Sequence, residues 1–114
     1  DQRVTGGVDR MVDLMKQFKR PFGHRLGRAI MAYVANYPKF DGSDPINEAL
    51  ADQIEMRLLP KLRGVDAEAA DAPFRELLNY VEQDLGDAKL GEAIRTSMAA
   101  SEETGQFVWS GVTR

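Results

Sequence analysis

The fold is decided by residues 16–37, which read KQFKRPFGHRLGRAIMAYVANY. A Pro-x-Gly break, Pro21 to Gly23, separates the end of one amphipathic segment from the start of another. The chain carries a net charge of -3, yet five of its fifteen basic residues lie within thirteen positions of this stretch. The five are Lys16, Lys19, Arg20, Arg25 and Arg28, with His24 among them. This local surplus of positive charge predicts an anionic ligand or partner here.

The segment after the break predicts a helix that begins near Gly23 or His24. At helical spacing its apolar residues share one face, while Arg25 and Arg28 lie on another. A cation in the first turn of a helix is unfavourable by about 0.3–1 kcal/mol, because the helix dipole is already positive there. The arrangement therefore favours an anion bound between Arg25 and the free N–H groups of the first turn. The alternative is that both arginines are simply solvated.

Length and composition restrict the class of protein. A chain of 114 residues is large enough for one domain with a single core, and we expect a single helical domain over residues 1–114. The absence of cysteine excludes disulfides and thiolate sites. No apolar run approaches the roughly 18 residues of a membrane span, and no signal peptide opens the chain, so a cytoplasmic location is expected. The first residue is not methionine, which suggests a fragment of something longer.

Hydrophobic periodicity predicts an all-α fold, a bundle of about five helices with a short strand-like C-terminal extension. The apolar positions and the capping residues place the five helices at 8–18, 24–37, 45–64, 73–85 and 88–104. The third helix should kink or end at Pro60 and terminate at Gly64, and Asp87 should be the N-cap of the fifth. Thr5 or the Gly6-Gly7 pair would begin the first helix, whose methionines fit a core better than a binding face. The apolar tail, residues 106–112, should pack on a helix or pair with a strand.

Motifs for chemistry are largely missing. The sequence has no phosphate-binding loop of the Gly-x-x-x-x-Gly-Lys-Ser/Thr type, no Gly-x-Gly-x-x-Gly and no Gly-x-Ser-x-Gly. Its single histidine, His24, excludes paired histidine ligands, and the carboxylates show no recognisable metal spacing. We therefore expect no catalysis by this chain alone and assign it no metal ligands.

Three motifs in order carry a resemblance to a known family. They are PFGHRLGRAI at 21–30, ALADQI at 49–54 running into LPKLRG at 59–64, and ETGQFVW at 103–109. In this order and spacing they resemble the C-terminal lid region of McrB-like AAA+ ATPases, the dynein-related motor ATPases associated with restriction. The resemblance covers about residues 20 to 110.

The resemblance implies that this domain is the helical lid that closes over ATP and couples hydrolysis to movement. Arg25 falls at the position of the sensor-2 arginine, which reaches the γ-phosphate, and Gly23, His24 and Arg28 would lie beside the nucleotide. The ATP, with its Mg²⁺, would be held by an N-terminal α/β core of the same polypeptide, with a hinge near residues 1–7. We further expect a homo-oligomeric ring with a role in DNA restriction or defence. Nucleic acid would be contacted only through the parent assembly, and no association with a membrane is expected.

Two alternatives of another class stay open. The basic cluster 16–28 could be the phosphate-contacting surface of a free-standing nucleic-acid-binding module, or the chain could be an adaptor anchored by Phe107, Val108 and Trp109. The acidic isoelectric point near 5.1 and the lack of a helix-turn-helix recognition pattern oppose the first.

Overall fold

The computed structural model describes residues 2–39, 42 and 44–112, and these residues form an all-α bundle. Its helices are α1 (Gln2–Gln17), α2 (His24–Ala35), α3 (Pro45–Gln53), α4 (Asp71–Asn79) and α5 (Ala88–Ala100). Neither a strand nor a sheet occurs in the described ranges, so the predicted fold class is confirmed. Among these helices, none combines the length and the apolar character needed to cross a membrane.

The predicted start of α1 is wrong. The helix begins at Gln2 and runs through Gly6 and Gly7 instead of starting there. The physical reason lies in packing, because Gly7 is buried where α1 meets α3. A Cβ atom at Gly7 would stand 2.9 Å from both terminal methyl groups of Leu50. This glycine therefore permits a close approach of two elements and does not mark the start of the helix.

The two neighbouring glycines should respond to substitution in opposite directions. Gly6→Ala should raise the free energy of unfolding by about 0.5–1 kcal/mol, because a Cβ there meets nothing within 4 Å and alanine favours the helix. Gly7→Val should lower it by about 1–3 kcal/mol, since the side chain would press on Leu50 and Tyr80. Urea denaturation of the two variants checks both signs. A stabilised Gly7→Val variant would contradict the packing argument.

Proline and glycine act as expected after α3. The α-helix gives way to a π-helical turn at Ile54–Leu58 and then to a 3-10 helix at Leu59–Leu62. Pro60, in that last turn, has no amide hydrogen to continue the α-helical bonding pattern. Gly64 then adopts a left-handed conformation with a φ of 85°. The predicted break at Pro60 and the predicted termination at Gly64 are both confirmed.

Other helix ends differ from the prediction by a few residues. α2 stops at Ala35 instead of position 37, and α4 begins at Asp71, two residues before Pro73. The cap at Asp87 is confirmed, since its Oδ1 accepts from the Leu90 amide at 2.9 Å. α5 ends at Ala100 instead of 104, because the following residues form turns up to Gly105, whose φ is 78°.

The core contains a cluster of three aromatic rings. The rings of Phe18 and Phe74 lie 4.7 Å apart in an edge-to-face arrangement, and those of Phe74 and Phe107 lie 4.8 Å apart at a tilt. Met11 and Met15 of α1 are completely buried in the same core, which confirms that the methionine stripe belongs to it. The aromatic cluster joins the end of α1, the middle of α4 and the tail, which are far apart in sequence.

The C-terminal tail both pairs with a loop and packs on a helix. The amide of Gly64 donates to the Phe107 carbonyl at 2.9 Å, and the Phe107 amide donates to the Val65 carbonyl at 2.8 Å. Further along, the hydroxyl groups of Ser97 on α5 and Ser110 lie 2.9 Å apart. Phe107 is fully buried within its own chain, so it is not available as an exposed adaptor anchor in this structure.

Glu82, in the π-helical turn Tyr80–Asp84 that follows α4, forms an ion pair with Arg95 of α5. This ion pair predicts that the stability of the domain depends on pH. Arg95 Nη2 donates to Glu82 Oε1 at 2.7 Å, and this hydrogen bond lowers the pKa of Glu82, although desolvation opposes it. Because the folded pKa lies below the unfolded value of about 4.3, the stabilisation is present above that pH and is lost as pH falls through the folded pKa. We expect the stability of Glu82→Gln to fall less steeply than that of the wild type between about pH 5 and pH 3.

Denaturant titrations at each pH measure this difference. Equal slopes for the two proteins would show that Glu82 is not ionised differently in the folded and unfolded states.

Candidate functional site

The start of α2, which we call the α2 entrance, consists of Gly23, His24, Arg25 and Arg28. The turn before it is fixed by the end of α1. The amide of Lys19 donates to the Lys16 carbonyl at 2.9 Å, and the amide of Arg20 donates to the Met15 carbonyl at 2.8 Å. This pair of hydrogen bonds is a Schellman motif, and Lys19 takes its left-handed position with a φ of 62°. The chain therefore leaves α1 in a defined direction.

The first turn of α2 has no side-chain cap. Gly23 is the N-cap in an extended conformation, and it has no side chain that could accept from the following amides. The first helical bond is a long one, from the Gly27 amide to the Gly23 carbonyl at 3.4 Å. Since the first N–H groups of any helix lack partners within it, the α2 entrance presents amides and a positive dipole end.

Cationic side chains at the α2 entrance face solvent. Arg25 and Arg28 are both exposed, and neither has an ion pair or a side-chain hydrogen bond within residues 2–39, 42 and 44–112. His24 is exposed too, so a packing role for its ring is not seen. Elsewhere in the described chain, Arg75 pairs with Asp71 and Arg95 with Glu82. The structure thus places the four predicted site residues at the start of one helix, with the guanidinium groups of Arg25 and Arg28 exposed.

One residue of the basic cluster, Arg20, is hydrogen-bonded to a distant segment of the chain. Arg20 Nη1 donates to the carbonyl of Lys61 at 3.1 Å and to the carbonyl of Arg63 at 3.0 Å. These carbonyls end the 3-10 helix that follows α3. The Nη1 donor of Arg20 is therefore engaged with the backbone, and this sets the exposed Arg20 apart from Arg25 and Arg28.

A second surface lies at the other end of α2 and was not identified from the sequence. Its groove, of about 440 Å³, is lined by Tyr37, Glu48, Asp52, Glu55, Met56 and Asp87. Tyr33 donates to Asp52 Oδ2 at 3.0 Å. Burial, and after it the hydrogen bond to Asp52, raises the pKa of Tyr33. The four-residue spacing of Tyr33 and Tyr37, and of Glu48 and Asp52, is the signal that could have shown it.

Neither acidic groups nor larger cavities point to chemistry. A cavity of about 990 Å³ lies between α4 and α5, and its arginines are Arg75 and Arg95, both already paired with carboxylates. In the part of the chain that the structure describes, no three His, Cys, Asp or Glu residues are close enough together to hold a metal ion. The α2 entrance therefore remains the candidate site.

The residues expected to form a hinge, near 1–7, are helical from Gln2 onward. From Gln2 onward these residues are the first turns of α1, continuous with the buried part of that helix. Residue 1 lies outside the described residues. Any hinge motion would thus carry residues 2–7 with the domain and not bend within them.

Comparison with known proteins identifies the family. Residues 1–107 match the sequence model of a family described as a domain of unknown function, DUF8727, and the chain belongs to that family. No curated protein and no solved structure matches it significantly. The family description assigns no activity, so a functional interpretation has to rest on the site.

Proposed function

We propose that this DUF8727 domain is the nucleotide-responsive helical lid of a larger AAA+ ATPase, in which Arg25 contacts the γ-phosphate of ATP. The observation that carries the proposal is an exposed arginine, without a partner among the described residues, in the first turn of a helix that has no side-chain cap. A cation there is disfavoured unless an anion is bound nearby. The McrB-like resemblance of residues 21–30, 49–64 and 103–109 supports a nucleotide as that anion.

Closing of the lid gives Arg25 its role. The guanidinium, held on a packed helix, meets the negative charge that develops on the oxygens of the transferred phosphoryl group and stabilises the transition state. Loss of the γ-phosphate removes the partner of Arg25 and frees the lid to swing. Ile30 and Val34 of α2 are buried against the core, so the arginine moves with the domain as a rigid body.

Other parts of the machine lie outside this chain. An α/β core of the same polypeptide would supply the phosphate-binding loop and the Mg²⁺, which fits the lack of such a loop in the sequence. Gly23, His24 and Arg28 would border the nucleotide, and a homo-oligomeric ring acting in DNA restriction or defence would use the motion. The nucleic-acid alternative has less support, because the Nη1 donor of Arg20 is engaged with two backbone carbonyls.

Nucleotide assays on two proteins test the proposal. The full-length polypeptide that carries this domain should bind and hydrolyse MgATP, whereas the 114-residue chain alone should hydrolyse none. A salt-dependent affinity of the isolated chain for DNA, combined with no nucleotide binding by the full-length polypeptide, would favour the nucleic-acid alternative. That result would reject the lid.

A further inference from the structure

We infer that Arg20 is a positioning residue that holds the α2 entrance in place and is not itself part of the anion-binding surface. The inference rests on the proposed function for its consequence, but its structural part stands on the contacts of Arg20 alone. In the sequence, Arg20 is one of five basic residues of the cluster and has nothing to distinguish it. In the structure, it differs from Arg25 and Arg28 because its side chain donates hydrogen bonds to backbone carbonyls.

The guanidinium of Arg20 joins two segments that are more than forty residues apart. Nη1 donates to the carbonyls of Lys61 and Arg63, at 3.1 and 3.0 Å. Carbonyls at the end of a helical segment lack partners within it, so a cation with several donors is well suited to satisfy them. Arg20 thereby ties the turn before α2 to the segment after α3.

The position of Gly64 is consistent with the same assignment. A Cβ atom at Gly64 would lie at van der Waals distance, 3.8 Å, from Nη2 of Arg20, so the guanidinium lies near this left-handed glycine. On its other side, the Gly64 amide donates to the Phe107 carbonyl. The segment 61–64 is consequently held by the tail, and it offers Arg20 a fixed point.

Arg20 sits at the middle of a short connection. Its own amide closes the end of α1 on the Met15 carbonyl, and only three residues separate it from His24. Phe22, between them, packs partly buried against the core. A displacement of Arg20 therefore passes directly to the first turn of α2, where Arg25 must meet a phosphate to within hydrogen-bond distance.

Two matched variants of the full-length polypeptide test this inference. Arg20→Met and Lys89→Met each remove one exposed positive charge, but only the first removes the donors to Lys61 and Arg63. Lys89 lies on α5, outside the basic cluster. We expect hydrogen exchange of the Gly27 amide to accelerate by roughly tenfold in Arg20→Met and to stay unchanged in Lys89→Met. ATP turnover should fall by about threefold to tenfold in Arg20→Met alone, with ATP affinity nearly unchanged.

High salt separates positioning from a charge effect. Loss of a hydrogen-bonded clamp persists at about 0.5 M salt, whereas loss of an exposed attractive charge is screened. Equal exchange rates at Gly27 in the two variants, or an Arg20→Met defect in ATP affinity that disappears at high salt, would overturn the inference. If the wild type binds no nucleotide but Arg20→Met still accelerates exchange, the lid proposal fails while the positioning role stands.

Discussion

Replacing Arg25 by alanine in the full-length polypeptide should lower ATP turnover by about 100-fold or more, while ATP binding changes by only a few fold. Removal of one group that stabilises transition-state charge costs about 10²–10³ in turnover in well-studied sites. Under the proposed function, ATP in the ground state is held by contacts to a separate core domain, so its affinity is expected to survive the substitution. The effect should be large because Arg25 has no partner in the described part of the chain that would compete for it.

Two further variants sharpen this experiment. Arg25→Lys keeps the charge but loses the planar fork of donors, and should recover only part of the turnover. Lys89→Ala removes an equal charge from α5, outside the basic cluster, and should leave turnover close to that of the wild type. Steady-state ATPase assays combined with nucleotide-binding titrations give both quantities. Unchanged turnover in Arg25→Ala would reject Arg25 as the γ-phosphate contact.

Replacing Phe74 by alanine should reduce the free energy of unfolding by about 3–5 kcal/mol, a large part of the 5–15 kcal/mol typical of a domain. Phe74 is completely buried and lies between Phe18 and Phe107, so its removal leaves a cavity and breaks both ring contacts. Close packing prevents the neighbours from filling the space fully.

Urea denaturation followed by circular dichroism measures this loss. Val108→Ala is the matched control, because Val108 is 53% exposed and should change the free energy of unfolding by no more than about 0.5 kcal/mol. A loss below about 1 kcal/mol in Phe74→Ala would mean that the cluster of three aromatic rings contributes little to stability.

Periodicity and capping residues predicted the fold well. The buried residues of α2, Ile30 and Val34, are on the face that the spacing indicates, and Asp87 caps α5 as expected. The error at the start of α1 has a physical cause. Gly6 and Gly7 look like a helix start in sequence, but tertiary packing against Leu50 decides what Gly7 does. Local patterns cannot show a close approach between distant segments.

The position of the candidate site could be predicted from the sequence, but the contacts of the basic residues around it could not. The Pro-x-Gly break located the α2 entrance, and Arg25 and Arg28 are exposed there as the helical spacing requires. The sequence gives no sign that Arg20 reaches carbonyls more than forty residues away, since any basic residue beside the break looks equally free. The groove at Tyr37 also depends on how α2 and α3 pack, which a single sequence does not reveal.

Pairing of the tail with the segment after α3 has a consequence for biosynthesis. Phe107 completes the aromatic cluster with Phe18 and Phe74. The core therefore lacks one of its three rings until nearly the whole domain has left the ribosome. Formation of this long-range contact must overcome the entropy of closing a long loop. We therefore expect α1 to α4 to emerge as a partly collapsed intermediate, and stalled chains that end before residue 107 to be more sensitive to protease than chains that include the tail.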